Sequence, residues 1–407
     1  MMTKKKQFGW MLVMALMTAC SSTPKQAMQK EVSTIDLTEI EFSSTPQPLS
    51  DFVESIEYIK LSEEPLVTED NRVGIQIDND GYIYLEDMYH IFKYDSNGNF
   101  LKNLVRQGPG PNEILGKYSS FYNMDNKTIT ISTGGAGYAQ ISLDGDILER
   151  NYSDESRRIL ASWKNYELFR YPNPLFYADQ GEKYNKDSLY FFHVKDLNTG
   201  ATVFKMKNHH FHIKAKINGS QVSHPAFPVY RGTLNENTFW VKPMFVDTIY
   251  HTTNWTDVSP LYVIQQSDDA ADYKWHTIVE AGLNNVSRYE LFHKRRLASV
   301  FAMECGILYS YIQEIPEKIG IGYCPANGKS YSFSKLFKND VDDFCPSLDF
   351  ETPLYQGHLF QKDGYLYTLV DAFKFFEEGA KPPFPDLTED SNPVIVKLKL
   401  KKKQPSK

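Results

Sequence analysis

The chain has 407 residues, 41% of them hydrophobic and 14% aromatic, enough to bury one large core or several small ones in series, which excludes general disorder. A formal net charge of −7 and a pI near 5.9 exclude a general nucleic-acid surface, which needs Lys and Arg in excess on one face. No basic tract interleaved with aromatics occurs outside the two termini.

At the N-terminus, Lys4, Lys5 and Lys6 precede an apolar run from Phe8 to Ala19 that has the length of a signal-peptide core and is short for a bilayer span. Residues 1–19 therefore read as an export signal. The run ends in Met17-Thr18-Ala19-Cys20 followed by Ser21-Ser22-Thr23-Pro24, which is similar to the lipobox of bacterial lipoproteins, with Met17 where Leu is usual. That similarity implies lipidation of Cys20 and makes 20–33 a polar tether. Residues 401–407, with four lysines, read as a solvated basic tail. Cys305, Cys324 and Cys345 remain; an odd number does not organise a disulfide framework, and one bridge or buried thiols are both open.

From Gly74 to Glu113 the sequence reads as a small antiparallel sheet: short runs of Tyr, Ile, Phe and Leu flank the turn dipeptides Asp80-Gly81 and Asn97-Gly98. The rhythm recurs at Asp144-Gly145, Asn218-Gly219, Asn327-Gly328 and Asp363-Gly364. Strand units are expected at Gly74–Leu104, Phe121–Asn151, Ser188–Lys207, Gly232–Tyr250, Ala298–Ser332 and Gly364–Leu400, with one or two short helices within Asp272–Ser299. Many short strands at a spacing of tens of residues predict an all-β propeller over 34–400, with six blades or seven. An isolated strand pattern at Thr34–Phe42 is expected to complete the last blade beside Pro393–Leu400, closing the ring without a free edge.

The stretches Ile35–Leu37, Leu49–Leu61, Asp80–Tyr84, Ile91–Asp95 with Gly98, Phe100 and Leu101, and Arg106–Glu113, together with Cys20, resemble the six-bladed β-propeller lipoproteins of Bacteroidetes, which are related in pattern to NHL-repeat propellers. The resemblance is specific in the N-terminal third; beyond Asn151 it is one of strand order. It implies a six-bladed ring and an exported, lipid-anchored location, and it implies no established activity.

Four sets of residues are candidates for function. The loop Arg106–Glu113 combines Gly108 and Gly110 with Pro109 and Pro111, and Arg106 is placed to pair with Glu113 across its base; it reads as a rigid piece of a binding mouth or as an inter-blade connector. His210 and His212 would share a strand face as weak zinc ligands, beside His209, with His224 or Asp196 as a third partner. Glu86, Asp87, Asp95 and Asp247 sit near strand ends, where some propeller enzymes hold calcium. Tyr82, Tyr84, Tyr89, Trp163, Tyr171, Phe176, Tyr177, Trp240 and Phe245 offer aromatic faces for sugars or partner side chains, or fill the seams between blades. Asp187-Ser188-Leu189 and Asp247-Thr248-Ile249 look like acceptors for bacterial O-glycosylation. No nucleophile elbow, His-Glu-x-x-His helix, P-loop or Rossmann fingerprint occurs.

These residues lead to an expected non-catalytic binding module in the cell envelope. It takes a protein or glycan, touches membrane only through its lipid, binds no nucleic acid and needs no cofactor, and the periplasmic side of the outer membrane is favoured because no acidic run follows Cys20. The alternative is a calcium-dependent hydrolase or lactonase with its site in the central channel.

Overall fold

Asp78 shows why the short strands turn where they do. Its carboxylate accepts the amides of Asp80 at 3.0 Å and Tyr82 at 2.9 Å, and Gly81 takes the left-handed φ of +88° that closes the turn. Asp95 repeats this arrangement with Asn97 and Asn99. The computed structural model describes residues 32–402 apart from 68–73, 88, 109, 111–112, 115, 118, 134–136, 152–158, 171–189, 209–215, 218–219, 222–228, 245, 268–294, 314–317, 345–346, 351–357 and 378–379.

Six small sheets form the ring of a six-bladed propeller. Blade 1 is Gly74–Ile77, Ile83–Glu86, Ile91–Tyr94 and Phe100–Asn103; blade 2 is Ser119–Asn123, Thr128–Ser132, Tyr138–Ser142 and Ile147–Asn151; blade 3 is Ile159–Trp163, Tyr166–Arg170, Tyr190–Asp196 and Thr202–Lys207. Blade 4 is Val229–Asn235, Thr238–Pro243, Thr248–Thr252 and Ser259–Gln266. Blade 5 has Arg295–Met303, Gly306–Gln313 and Lys318–Pro325, so the C-terminal end of the expected helical segment is an innermost strand; residues 268–294 lie outside those described. Blade 6 is Phe360–Lys362, Tyr365–Val370, Val394–Leu400 and Val53–Ile59.

An N-terminal strand does close the ring, but it is Val53–Ile59, with Ile56 opposite Leu398. The segment expected in that place, Ser33–Leu37, instead runs parallel to the outermost strand of blade 4, with Ile35 opposite Ile264. From there the chain follows the rim, pairing Glu41–Phe42 with Ser332–Phe333 and Gln47–Pro48 with Phe337–Lys338, before it enters blade 6. Ser33–Leu37 alternates in burial along the strand whereas Val53–Ile59, VESIEYI, does not, so alternation points to the wrong segment for closure. Packing makes the choice: Ile35 and Leu37 fill the seam of blades 4 and 5, whereas Val53, Ile56 and Tyr58 fill that of blades 5 and 6.

Apolar clusters occupy five of the six seams. Trp240 and Tyr84 belong to them and are buried, as is Trp163. Between blades 2 and 3 no such cluster occurs among the described residues; Asn123 bridges instead, donating to the Ser162 hydroxyl at 2.9 Å and the Lys164 carbonyl at 2.6 Å. Cys305 and Cys324 are buried free thiols, and burial pushes the Cys324 thiol up to about 12, out of reach of thiolate chemistry at neutral pH. Cys345 lies outside the described residues. Among the described residues no helix is long and apolar enough to cross a membrane.

The two ends of the ring differ. At one end the links within blades are short: two residues between Trp163 and Tyr166, between Asn235 and Thr238, between Met303 and Gly306 and between Lys362 and Tyr365. At the other the links are longer, as in 104–118 and 371–393. The short-turn end is pinched: the Gln361 amide donates to the Leu234 carbonyl at 2.7 Å, bonding the innermost strand of blade 6 to that of blade 4.

Candidate functional site

The loop from Arg106 to Glu113 joins the outermost strand of blade 1 to the innermost strand of blade 2 at the long-connection end. Its base is closed by backbone bonds, Ile114 N to Arg106 O at 2.8 Å and Gly108 N to Ile114 O at 3.2 Å. The Glu113 carboxylate turns inward and accepts the Gly110 amide at 2.9 Å. The expected Arg106–Glu113 ion pair does not form; Arg106 is exposed, and Arg150 of blade 2 holds the loop instead, donating to the Glu113 carbonyl at 2.7 Å and the Gly110 carbonyl at 3.4 Å. A Cβ on Gly108 would stand 1.9 Å from Glu113 Oε2, so only glycine leaves room for the inward carboxylate. The loop is thus a shaped connector between blades 1 and 2 at the long-connection end. Pro109, Pro111 and Asn112 lie outside the described residues.

Beneath it lies a polar cluster. Asp87 accepts the Tyr89 and His90 amides, both at 2.6 Å, and its carboxylate stands 3.0 Å from His90 Nδ1. The His90 ring stacks on Phe92 at 5.1 Å. Lys117, buried, donates to the Asp87 carbonyl at 2.5 Å and lies 3.9 Å from Glu86 Oε1. Burial raises the Glu86 carboxyl above its ordinary range, against Lys117 and the Tyr122 and Ser120 hydroxyls, which draw it down. Glu86 Oε2, Ser120 Oγ and Tyr122 OH are buried and make no hydrogen bond of good geometry. The Gln107 amide donates to the Tyr89 carbonyl at 3.4 Å, tying the loop to this cluster.

Glu86 and Asp87 thus stand together, but the other two expected carboxylates stand elsewhere. Asp95 caps a turn at the short-turn end, and Asp247 in blade 4 accepts the Gln266 amide at 3.0 Å. No group of three or more His, Cys, Asp or Glu that could hold a metal occurs among the described residues. Asp196 caps a short turn through the Asn198 and Thr199 amides. His209, His210, His212 and His224 lie outside the described residues, as do Tyr171, Phe176, Tyr177, Phe245 and the Asp187–Leu189 tripeptide. Tyr82 and Tyr89 are exposed, Tyr89 at the mouth and Tyr82 at the short-turn end under Lys93, whose ammonium is 4.4 Å from the ring.

Sequence reading missed Lys117 and Arg150, isolated cations whose partners, the Asp87 carbonyl and Glu86 carboxylate for the first and the Gly110 and Glu113 carbonyls for the second, lie in distant segments and leave no local signature. It also missed two buried cations on neighbouring strands of blade 4. Lys242 is 4% exposed, and burial pushes its amine down to about 8, with Asp247 pulling the other way. Arg231 on the neighbouring strand is pushed down to about 10 by burial and by Arg170 of blade 3.

A solved structure of a protein named as exported, from Bacteroides fragilis NCTC 9343, is similar at 13% identity and a TM-score of 0.57, over 91% of this chain and all of the other. A member of the DUF4221 family from Bacteroides vulgatus ATCC 8482 gives 13% identity and 0.42 over 86% of this chain and 97% of the other. A virginiamycin B lyase from Staphylococcus aureus gives 9% and 0.32 over 85% and 99%. The first supports the propeller fold; at their scores the other two carry no argument. No curated protein matches the sequence. A family model does match, across residues 32–399 and so across the whole ring, and the chain belongs to that family, described as a domain of unknown function, DUF4934.

Proposed function

We propose that this protein is an exported, lipid-anchored, non-catalytic binding module of the cell envelope, which takes a protein or glycan on the long-connection face of its ring. The observation that supports this most is the asymmetry of the two ends, two-residue turns against connections such as 104–118 and 371–393. Rigid sheets below and long connections above are the usual division between scaffold and recognition surface. Anchorage rests on Cys20 and the apolar run before it, with the periplasmic side of the outer membrane as the expected location. The mouth at Arg106, Gly108, Gly110 and Glu113, backed by the Glu86–Lys117 cluster, is the best-defined part of that face.

The test is thermal unfolding of the protein from Ser21 onward with a panel of polysaccharide fragments and envelope-protein fractions, because a ligand selective for the native state raises the midpoint. Hydrogen exchange then places any hit. Protection at 87–90 and 104–114 is the expected result, and protection confined to short turns such as 78–82 would overturn the reading. Calcium and EDTA arms address the calcium-dependent hydrolase or lactonase alternative, for which Glu86 and Asp87 are the adjacent carboxylates at this end. A midpoint raised by calcium and restored by EDTA would favour that alternative.

A further inference from the structure

The negative charge of this protein is concentrated over one blade. Three segments meet at the long-connection end of blade 6: 60–67, 341–344 and the described residues of 371–393. Together they contain nine Asp and Glu against three Lys, a net of −6, while the formal total for the whole chain is −7. The remaining residues, 41 Lys and Arg against 42 Asp and Glu, are nearly balanced. The three segments are joined through shared contacts. Tyr58 packs edge-on against Phe344 at 5.6 Å and Phe375 at 5.8 Å, and its hydroxyl donates to Asp342 at 3.0 Å. The Asn392 amide donates to the carbonyls of Ser62 and Pro65, and the Lys381 amide to the carbonyl of Phe344.

On this acidic platform four large apolar side chains face solvent: Leu66 at 59% exposure, Phe373 at 41%, Phe376 at 40% and Phe344 at 38%. Phe373 and Phe376 flank the buried Phe375 in the short helix Ala372–Phe376, so the turn that anchors one ring inside projects two outward. Exposed Phe gains nothing as a hydrogen-bonding surface, and the neighbouring charged groups are nearly all acceptors, which suits a partner that brings cations and apolar side chains together. The molecule already contains one such contact, the Lys374 ammonium 5.2 Å over the Phe373 ring with Glu377 at 3.4 Å.

From this juxtaposition of exposed Phe and Leu with a net excess of carboxylates, beyond those that Lys60, Lys374 and Lys381 pair with, we infer that the long-connection end of blade 6 docks a basic polypeptide segment in which Lys or Arg alternates with apolar residues. The inference rests on the proposed binding face and narrows its partner to protein. An anionic bilayer or acidic glycan is repelled by the same charge.

The test uses three fluorescent twelve-residue peptides, one alternating Lys with Phe and Leu, one with Glu in place of Lys, and one with Ser in place of Phe and Leu. Anisotropy is measured against the full chain, against F373S/F376S and D343K/E377K, and against a charge-matched control at the short-turn end, D125K/E236K. The basic apolar peptide is expected to bind at least tenfold more tightly than the other two. It should lose at least tenfold in either blade 6 variant and less than twofold in the control, with weakening in salt. All substituted side chains are exposed, and unchanged unfolding midpoints establish that the variants are folded. Equal losses in the control, or none in the blade 6 variants, overturn the inference, as does an absence of binding. A hydrogen-exchange footprint on 104–114 rejects blade 6 but keeps the binding face; one on the short turns rejects both.

Discussion

The seam between blades 5 and 6 and that between blades 2 and 3 solve the same packing problem with opposite chemistry. In the first, Phe52, Phe337 and Phe350 are fully buried, with Phe337 5.3 Å from Phe52 and 5.7 Å from Phe350. In the second, Asn123 is buried and bonded to the Ser162 hydroxyl and the Lys164 carbonyl, and Asn126 reaches the same carbonyl at 3.0 Å. The apolar seam draws on buried area and resists by volume; the polar seam depends on a few directed bonds. The ring is therefore expected to be weakest between blades 2 and 3, and the N-terminal strap past blades 4, 5 and 6 reinforces the opposite side.

The sharpest way to break that comparison is Phe337→Ala, which opens a cavity among rings that cannot collapse onto it; a loss of about 3–5 kcal/mol by denaturant titration is expected. A loss below that of the polar-seam variant would reverse the ranking. Lys242→Met tests what a cation costs beside an apolar seam. Because the folded-state amine is pushed down to about 8 from an ordinary value near 10.5, the unfolded chain binds more protons between those values, and the wild type gains stability as pH rises through that window. The variant should be the more stable at pH 7 by on the order of 2–3 kcal/mol, and its advantage should vanish by about pH 10.5. An advantage independent of pH would show that volume, not charge, was relieved.

Asn123→Ala takes its donor from the Ser162 hydroxyl and its acceptor from the Asn126 amide, leaves the Lys164 carbonyl with Asn126 alone, and should cost about 1–3 kcal/mol. Native-state hydrogen exchange should show the faster opening confined to blades 2 and 3; uniform acceleration around the ring would mean that the seams do not act separately. Smallest of all, Glu54→Ala removes an exposed ion pair with Lys399 at 3.1 Å on the outer rim of blade 6, and unfolding midpoints should place its effect within about 0.5 kcal/mol.

What could be read without coordinates was local. The turns at Asp78–Tyr82 and Asp95–Asn99 depend on carboxylate-to-amide bonds spanning four residues, and the flanking strands on alternation within five, so both are written in contiguous sequence. The loop Arg106–Glu113 stood out for the same reason, as a cluster of Gly and Pro. Its hold on Arg150 did not, because that bond joins positions about forty residues apart and any Arg would look alike in sequence.

The amino-acid sequence by itself determined the class of the fold, the rhythm of its strands and the turns between them, since each follows from short-range sterics and hydrogen bonding. Only the tertiary structure decided that Val53–Ile59, rather than Ser33–Leu37, closes the ring, because the choice is made by how their side chains fill separate seams and not by alternation along either strand. It alone decided, too, that carboxylates from three distant segments share one surface with Phe344, Phe373 and Phe376, since closing the ring is what brings residues near 60 beside residues near 390.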